Sequence, residues 1–318
     1  MQPPDEREHE PLSLAYFARR VLQAIPLLLL ASLLVFLLVH IAPGDPVRLM
    51  LGQEASQQQV DQVREQMGLN EPLLTQYAIY LGDVIRGDLG TSIRSQRPVT
   101  VLILEALPNT LILGGGALVL AFGIGIPLGV LAAVKQHSAF DNGALMVALL
   151  GQAVPSFWLG LMLISFVATR VSWIPTSGTG GFRYLILPVL SLAPVALGMI
   201  VRITRISVIE SLREDYIRTA TAKGVRRSFV IGRHAFKNAL IPIVTIMGLQ
   251  IGWLLSGAII TETVFAWPGI GRLAVNALMT RDYPVVQGVV LMTAFLFVAL
   301  NLLVDMLYAV IDKRVQHV

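Results

Sequence analysis

The chain has no cysteine among its 318 residues. Disulfides, iron–sulfur clusters and thiolate zinc sites are therefore excluded. It is also short of charge, with only 14% Asp, Glu, Lys and Arg against 55% hydrophobic residues. A soluble domain carries about a quarter charged residues. The mean hydropathy of +0.70 is more than a water-exposed surface can accommodate, so the solvent for most of this chain is lipid. No G-x-x-x-x-G-K-[ST] loop is present, and the glycine-rich turn Gly178 to Gly181 lacks the lysine. The chain thus has no phosphate cradle of that kind. Neither H-E-x-x-H nor G-x-S-x-G occurs, which removes the common intramembrane hydrolase chemistries. No cofactor or metal site is expected.

Charge-poor runs of about 20 residues can cross roughly 30 Å of hydrocarbon as helices. Six are present: Val21–Ala42, Asn109–Val134, Ala144–Thr169, Leu185–Val201, Ile241–Val264 and Val286–Ile311. The expected fold is all-α, a polytopic membrane protein with six transmembrane helices. The first run is longer than the roughly 7–15 residues of a secretory h-region and has no A-x-A site after it, so it reads as a retained anchor.

Orientation follows the lysines and arginines. Arg7, Arg19 and Arg20 precede the first run, nine basic residues lie in Arg202 to Lys237, and Lys313 and Arg314 end the chain. The short connections Arg170–Tyr184 and Phe265–Val285 hold two each. Both termini are expected in the cytoplasm, with residues 1–20 a cytoplasmic segment and 21–318 one membrane domain. Residues 43–108 would form an extracytoplasmic loop and 202–240 a cytoplasmic one. This arrangement absorbs most of the net charge of +4, leaving no reason to invoke nucleic acid.

Prolines at 26, 127, 155, 188 and 194, and glycines at 114–116, 123, 125 and 129, suit kinked helices that approach one another closely. In the first loop, Ser56 and Gln59 are spaced as a capping box, with Val60, Val63 and Met67 following on one stripe. Pro72 fits a second helix start, with Leu73, Tyr77, Tyr80, Leu81 and Val84 on one face. Two short amphipathic helices at the membrane mouth are expected.

The connection between the fourth and fifth runs carries the most information. Asp215 is a good N-cap, Tyr216 to Lys223 a short helix, and Gly224 a left-handed stop before apolar Val225. Ser228 can cap a further helix that runs into the fifth span. Ala220, Ala222 and Gly224 make the short helix slim enough to enter a cleft on another protein.

Asp215-Tyr-Ile-Arg-Thr-Ala-Thr-Ala-Lys-Gly224, followed by His234, Asn238-Ala239 and Pro242, resembles the cytoplasmic signature of permease subunits of bacterial ABC importers. The branch it resembles takes dipeptides, oligopeptides, glutathione or nickel. His40 to Pro46, Gly87 to Gly90, Thr261 to Gly269 and Arg281 to Gln287 agree in order. The long first loop is similar to that of the first of the two permeases in such systems. Where the wider family has Glu-Ala-Ala, Arg218, Thr219 and Ala220 stand here. The connection Arg170–Tyr184 is shorter than in some dipeptide permeases.

The resemblance implies half of an import pore, not an enzyme, partnered by a second homologous permease, two cytoplasmic ATPases and an extracytoplasmic solute-binding protein. It implies ATPase contact through Tyr216, Ile217, Arg218, Thr219, Ala220, Ala222, Lys223 and Gly224. The rival reading is a secondary transporter or channel, which needs ionisable groups deep in the membrane. Its candidates are His40, Glu262, Asp305 and the polar Gln250.

Overall fold

The computed structural model describes residues 14–41, 46–51, 56–66 and 68–311. Among them there is no strand, only an isolated bridge between Thr91 and Pro98. The helices are α1 (Leu14–Ile41), α2 (Pro46–Leu51), α3 (Gln57–Gln66), α4 (Leu73–Ile85), α5 (Val99–Val134), α6 (Ala139–Ala153) and α7 (Ser156–Leu163). They continue with α8 (Phe182–Arg213), α9 (Asp215–Ala222), α10 (Arg227–Phe229), α11 (Phe236–Val264), α12 (Ile270–Met279) and α13 (Tyr283–Ile311). Two π-helical stretches, Ile164–Ala168 and Val230–Ala235, extend α7 and lead into α11.

Five described helices are long and apolar enough to cross a membrane, and a sixth span forms if α6 and the segment Ser156–Ala168 count as one. These match the six apolar runs, with three differences. The second span, α5, starts at Val99, ten residues before the apolar run, behind Pro98 at its N-cap. Its added turns bury one face: Val99 and Ile103 are buried against Ile270, Val285 and Val289 of α12 and α13, while Val101 and Leu104 are exposed. The fourth span, α8, runs on past Val201 to Arg213. Beyond the apolar run it buries Thr204, Ser207, Val208 and Ser211, a helical stripe that continues after uniform hydrophobicity ends. The third run is broken, its two halves meeting at 97°. Pro155 is the N-cap of the second half, where it has no donor to continue the ladder.

Large apolar side chains point outward on the spans, among them Leu30, Val119, Leu149, Leu190, Ile260 and Phe295. Such surface is stable only against lipid or a partner. The core is built on α8, packed on α5 through Leu113, Ala117, Ala121, Leu192, Ala196 and Ile200. Small residues set the spacing. A Cβ on Gly125 would lie 2.9 Å from Ile200 Cγ2, and one on Gly129 would lie 2.7 Å from both Thr204 Cβ and the Val201 carbonyl. On the other flank, Gly151 meets the Pro194 carbonyl and Gly198 meets that of Ala148. Of the glycines of α5, Gly116, Gly125 and Gly129 thus set helix packing, whereas a Cβ on Gly114, Gly115 or Gly123 would meet nothing within 4 Å.

The capping box forms: Ser56 N donates to Gln59 Oε1 at 2.9 Å and Gln59 N to Ser56 Oγ at 3.4 Å. Val60 is buried, whereas the Val63 side chain and Met67 lie outside the described residues. Pro72 is the N-cap of α4. Tyr77 and Tyr80 stack around Phe36 of α1, while Leu73, expected on the same face, is exposed. Burial pushes the Tyr80 phenol well above its ordinary range, with Tyr77 adding to the shift.

Candidate functional site

The short helix α9 follows α8 after one extended residue, Glu214, with φ −69° and ψ 148°. Asp215 is therefore the first helical residue rather than the cap, and Glu214 turns the corner. The carboxylate of Asp215 still lies in the first turn, where the helix dipole favours it, 3.6 Å from Arg218. The far end closes as the sequence indicates. Gly224 has φ +77°, Gly224 N donates to the Thr221 carbonyl and Val225 N to the Ala220 carbonyl. This is the paired hydrogen bonding of a Schellman motif.

Two contacts fix α9 to the body. Ile217 is buried with Val230 and Ala235, and Leu212, Ala220 and Val225 pack around them. The Tyr216 hydroxyl accepts a hydrogen bond from Asn238 Nδ2 at 2.7 Å, tying α9 to α11. Val230 and Ala235 face the same cluster although five residues apart, because the intervening segment is π-helical and its i→i+5 register aligns them. Ser228 is not a cap. Arg226 holds that place in extended conformation and the helix starts at Arg227.

The eight residues singled out in the sequence thus divide. Tyr216, Arg218, Thr219, Ala222, Lys223 and Gly224 are exposed, whereas Ile217 is buried and Ala220 half-buried. Ile217 and Ala220 face the chain's own core, because the apolar side of this amphipathic helix is its attachment side.

The opposite end of α5 holds a second assembly. Glu262, at the end of α11, is fully buried. Its Oε1 accepts from Thr110 Oγ1 at 2.6 Å and its Oε2 from Arg272 N at 3.0 Å. Thr110 Oγ1 in turn accepts from Ile270 N at 2.8 Å. Together these groups cap the start of α12, whose first amides have no intrahelical partner. Asn109 and Trp267 clasp beside them: Trp267 Nε1 donates to the Asn109 carbonyl and Asn109 Nδ2 to the Pro268 carbonyl, each at 2.9 Å. Asp282, also buried, accepts from Ser92 Oγ at 2.6 Å and from the amides of Ile93 and Arg94. The separate stretches Gly87–Gly90 and Arg281–Gln287 are therefore neighbours, with Leu89 packed against the cluster that contains Val285, and Ile270 of that cluster directly follows Thr261–Gly269.

The ionisable groups of the rival reading are mostly engaged locally. The two ring nitrogens of His40 lie 2.9 Å from the Phe36 carbonyl and 3.0 Å from Gln76 Oε1, and Glu262 serves α12. Gln250 is buried. The side chain of Asp305 lies outside the described residues. No group of three or more potential metal ligands occurs among the described residues.

One feature escapes the sequence. Asp141, in the first turn of α6, meets Arg205 of α8 through two hydrogen bonds of 2.5 and 2.7 Å. Its carboxylate is 64 positions from its partner, and neither residue lies in a recognisable motif.

Residues 125–317 match the family described as binding-protein-dependent transport system inner membrane component, and residues 13–114 match the N-terminal region of such components. The chain belongs to this family. As a member, it is a membrane-embedded permease component of an ABC importer and not an enzyme.

The dipeptide transport system permease protein DppB of Alkalihalophilus pseudofirmus is 42% identical, covering 96% of this chain and 100% of its own. The glutathione transport system permease protein GsiC of Pectobacterium atrosepticum is 43% identical, covering 96% and 99%. DppB of Escherichia coli is 43% identical with the same coverage. Alignment to Escherichia coli DppB runs over 336 positions and to Pectobacterium GsiC over 304. The dipeptide permease therefore carries residues that this permease lacks. Among solved structures, the inward-facing MetNI methionine ABC transporter resembles this chain with a TM-score of 0.57 at 18% identity, covering 66% of this chain and 96% of its own. That likeness establishes the shared fold.

Proposed function

We propose that this permease forms half of the translocation path of an ATP-driven importer for peptides or similar small solutes. Its counterpart is a second, homologous permease. Two cytoplasmic ATPases drive the pair, and an extracytoplasmic binding protein delivers the solute. Both termini, residues 1–20 and residues 202–240 face the cytoplasm, and residues 43–108 face outward. The relatives that support a peptide-like solute are the dipeptide and glutathione permeases. The shorter alignment with GsiC favours a solute of the glutathione type over a strict dipeptide.

The mounting of α9 carries this reading. A short helix fixed underneath by Ile217 and Ala220, and at its start by Tyr216 and Asn238, cannot swivel on its own. Arg218, Thr219, Ala222, Lys223 and Gly224 present the contact to the ATPase, while Tyr216, Ile217 and Ala220 hold the helix that bears it. Motion of the ATPase is then delivered to α8 and α11 together, as displacement of a rigid element.

The test uses the whole complex in proteoliposomes. Gly224→Val forces a branched residue into φ +77° at a cost of about 1–2 kcal/mol, and Ala222→Glu puts a carboxylate on the exposed side. Both should leave the permease inserted at near-parental abundance, weaken co-purification of the ATPases and cut ATP-driven uptake. Normal uptake by Ala222→Glu with its ATPases bound would refute the contact. Uptake by this chain without any ATPase would refute the importer.

A further inference from the structure

A chain this poor in charge nevertheless buries an ion pair. Asp141 has a side-chain exposure of 1% and Arg205 of 18%. The guanidinium meets the carboxylate in a fork: Nε donates to Oδ1 at 2.5 Å and Nη2 to Oδ2 at 2.7 Å. The carboxylate also accepts from His137 N at 2.9 Å, and Asp141 N donates to Ser138 Oγ at 3.3 Å. Both carboxylate oxygens of Asp141 are thus held, Oδ1 by α8 and Oδ2 by α8 and the turn that joins α5 to α6. Buried pairs add little net stability compared with apolar side chains of similar volume, and their best-attested role is to specify geometry.

The position of the pair gives that geometry a use. Arg205 follows Thr204, whose Cβ is the contact that Gly129 of α5 accommodates. Deeper along the same helices, Gly125 meets Ile200, Gly151 meets the Pro194 carbonyl and Gly198 meets the Ala148 carbonyl. α8 is therefore in near-backbone contact with α5 and with α6, and the ion pair locks the end of this packing nearest α9. Past Arg205 only two turns of α8 remain before Arg213 and the corner at Glu214. Without the fork, α8 is free to shear along α6 when α9 is displaced, since glycine contacts resist approach but not sliding.

We infer that Asp141 and Arg205 are positioning residues for transport, clamping α5, α6 and α8 into one lever so that displacement of α9 reaches all three spans. The inference rests on the reading of α9 as the ATPase contact. It assigns the pair a part in coupling that is distinct from docking. Arg205→Lys keeps the charge and loses the fork, and Asp141→Asn keeps the shape and loses the charge. In the reconstituted complex both should retain bound ATPases and near-parental hydrolysis. Solute imported per ATP hydrolysed should fall by about fivefold to a hundredfold, the span of a typical coupling between sites. A merely structural pair would lower abundance and leave that ratio unchanged.

The second measurement needs neither variant. The chain has no cysteine, so Phe140→Cys and Ile206→Cys, at surface positions on either side of the pair, accept nitroxide labels without background from this chain. Their separation in the assembled complex should stay the same with and without ATP. A distance that changes through the cycle would overturn the lever, as would parental stoichiometry in Arg205→Lys. Loss of ATPase binding in the α9 variants, tested separately, bears on the docking reading. An intact α9 contact with an unchanged ratio in the Arg205 variant would refute only the clamp.

Discussion

Glu262 and the turn after it allow a prediction in which two damaging changes offset each other. The carboxyl group is held by Thr110 Oγ1 and Arg272 N. Glu262→Ala strands these buried donors. At about 1–3 kcal/mol for each unsatisfied group, partly relieved by relaxation, the cost is on the order of 3–5 kcal/mol. Gly269→Ala damages the same place differently. Its backbone, with φ −97° and ψ −178°, accepts any L residue, so conformational strain does not arise. The added Cβ, however, would stand 2.2 Å from Glu262 Oε1. Overpacking of this kind costs about 1–3 kcal/mol.

In the double variant the methyl group at 269 occupies space that the carboxyl has vacated. The clash vanishes, and the double variant should be no less stable than Glu262→Ala alone. The cycle should therefore show a favourable coupling of about 1–3 kcal/mol, within the range for residues in contact. Glu262→Gln, which keeps the shape and can still accept from Arg272 N, should cost only about 1 kcal/mol. The assay is the temperature at which half of the purified complex loses monodispersity, measured for the four members of the cycle and for Glu262→Gln. Additive losses would refute the argument, because they would mean that Gly269 is not a niche for this carboxyl. So would a Gln variant as unstable as the Ala variant.

Asp282→Asn should weaken the anchor of residues 92–94 by roughly 1.5–3 kcal/mol, as expected for hydrogen bonds to a charged group. Faster cleavage of that segment in limited proteolysis of intact complexes is the measurement. Reporter fusions at Gly224 and Val318 should report cytoplasm and a fusion at Gly178 the outside. A fusion at Gly224 active only outside would reverse the orientation proposed from the basic residues.

The spans were open to reading because lipid imposes one condition, about 20 uncharged residues, that few other environments impose. Their limits were less open. α8 leaves the apolar run at Val201 but keeps a buried stripe through Thr204, Val208 and Ser211, a pattern masked by the arginines between. The Schellman end of α9 could be read from Gly224 and Val225 because it is local. What Ile217 and Ala220 pack against could not, since Val230 and Ala235 are brought to one face by a π-helical register that sequence periodicity does not disclose. Asp141 and Arg205 stayed hidden for a similar reason: a contact across 64 residues leaves no local trace. Glu262 and Asp282 lay within stretches already singled out, yet only the fold shows that each carboxyl holds a neighbouring turn.

The 97° break in the third span bears on how the protein is made. α6 has 15 residues, about 22 Å of helix, too short to cross the bilayer alone. At the break the helical ladder also loses a donor, because Pro155 has no N–H to offer the carbonyl of Gly151 four residues earlier. Polar backbone at that depth is tolerated only inside protein or beside water. The helix that shelters it is α8, through the Gly151–Pro194 and Gly198–Ala148 approaches, and α8 is synthesised later. The third span must therefore wait in a provisional setting until the fourth arrives. Its final seat in the membrane belongs to assembly of the bundle rather than to insertion of a single hydrophobic segment.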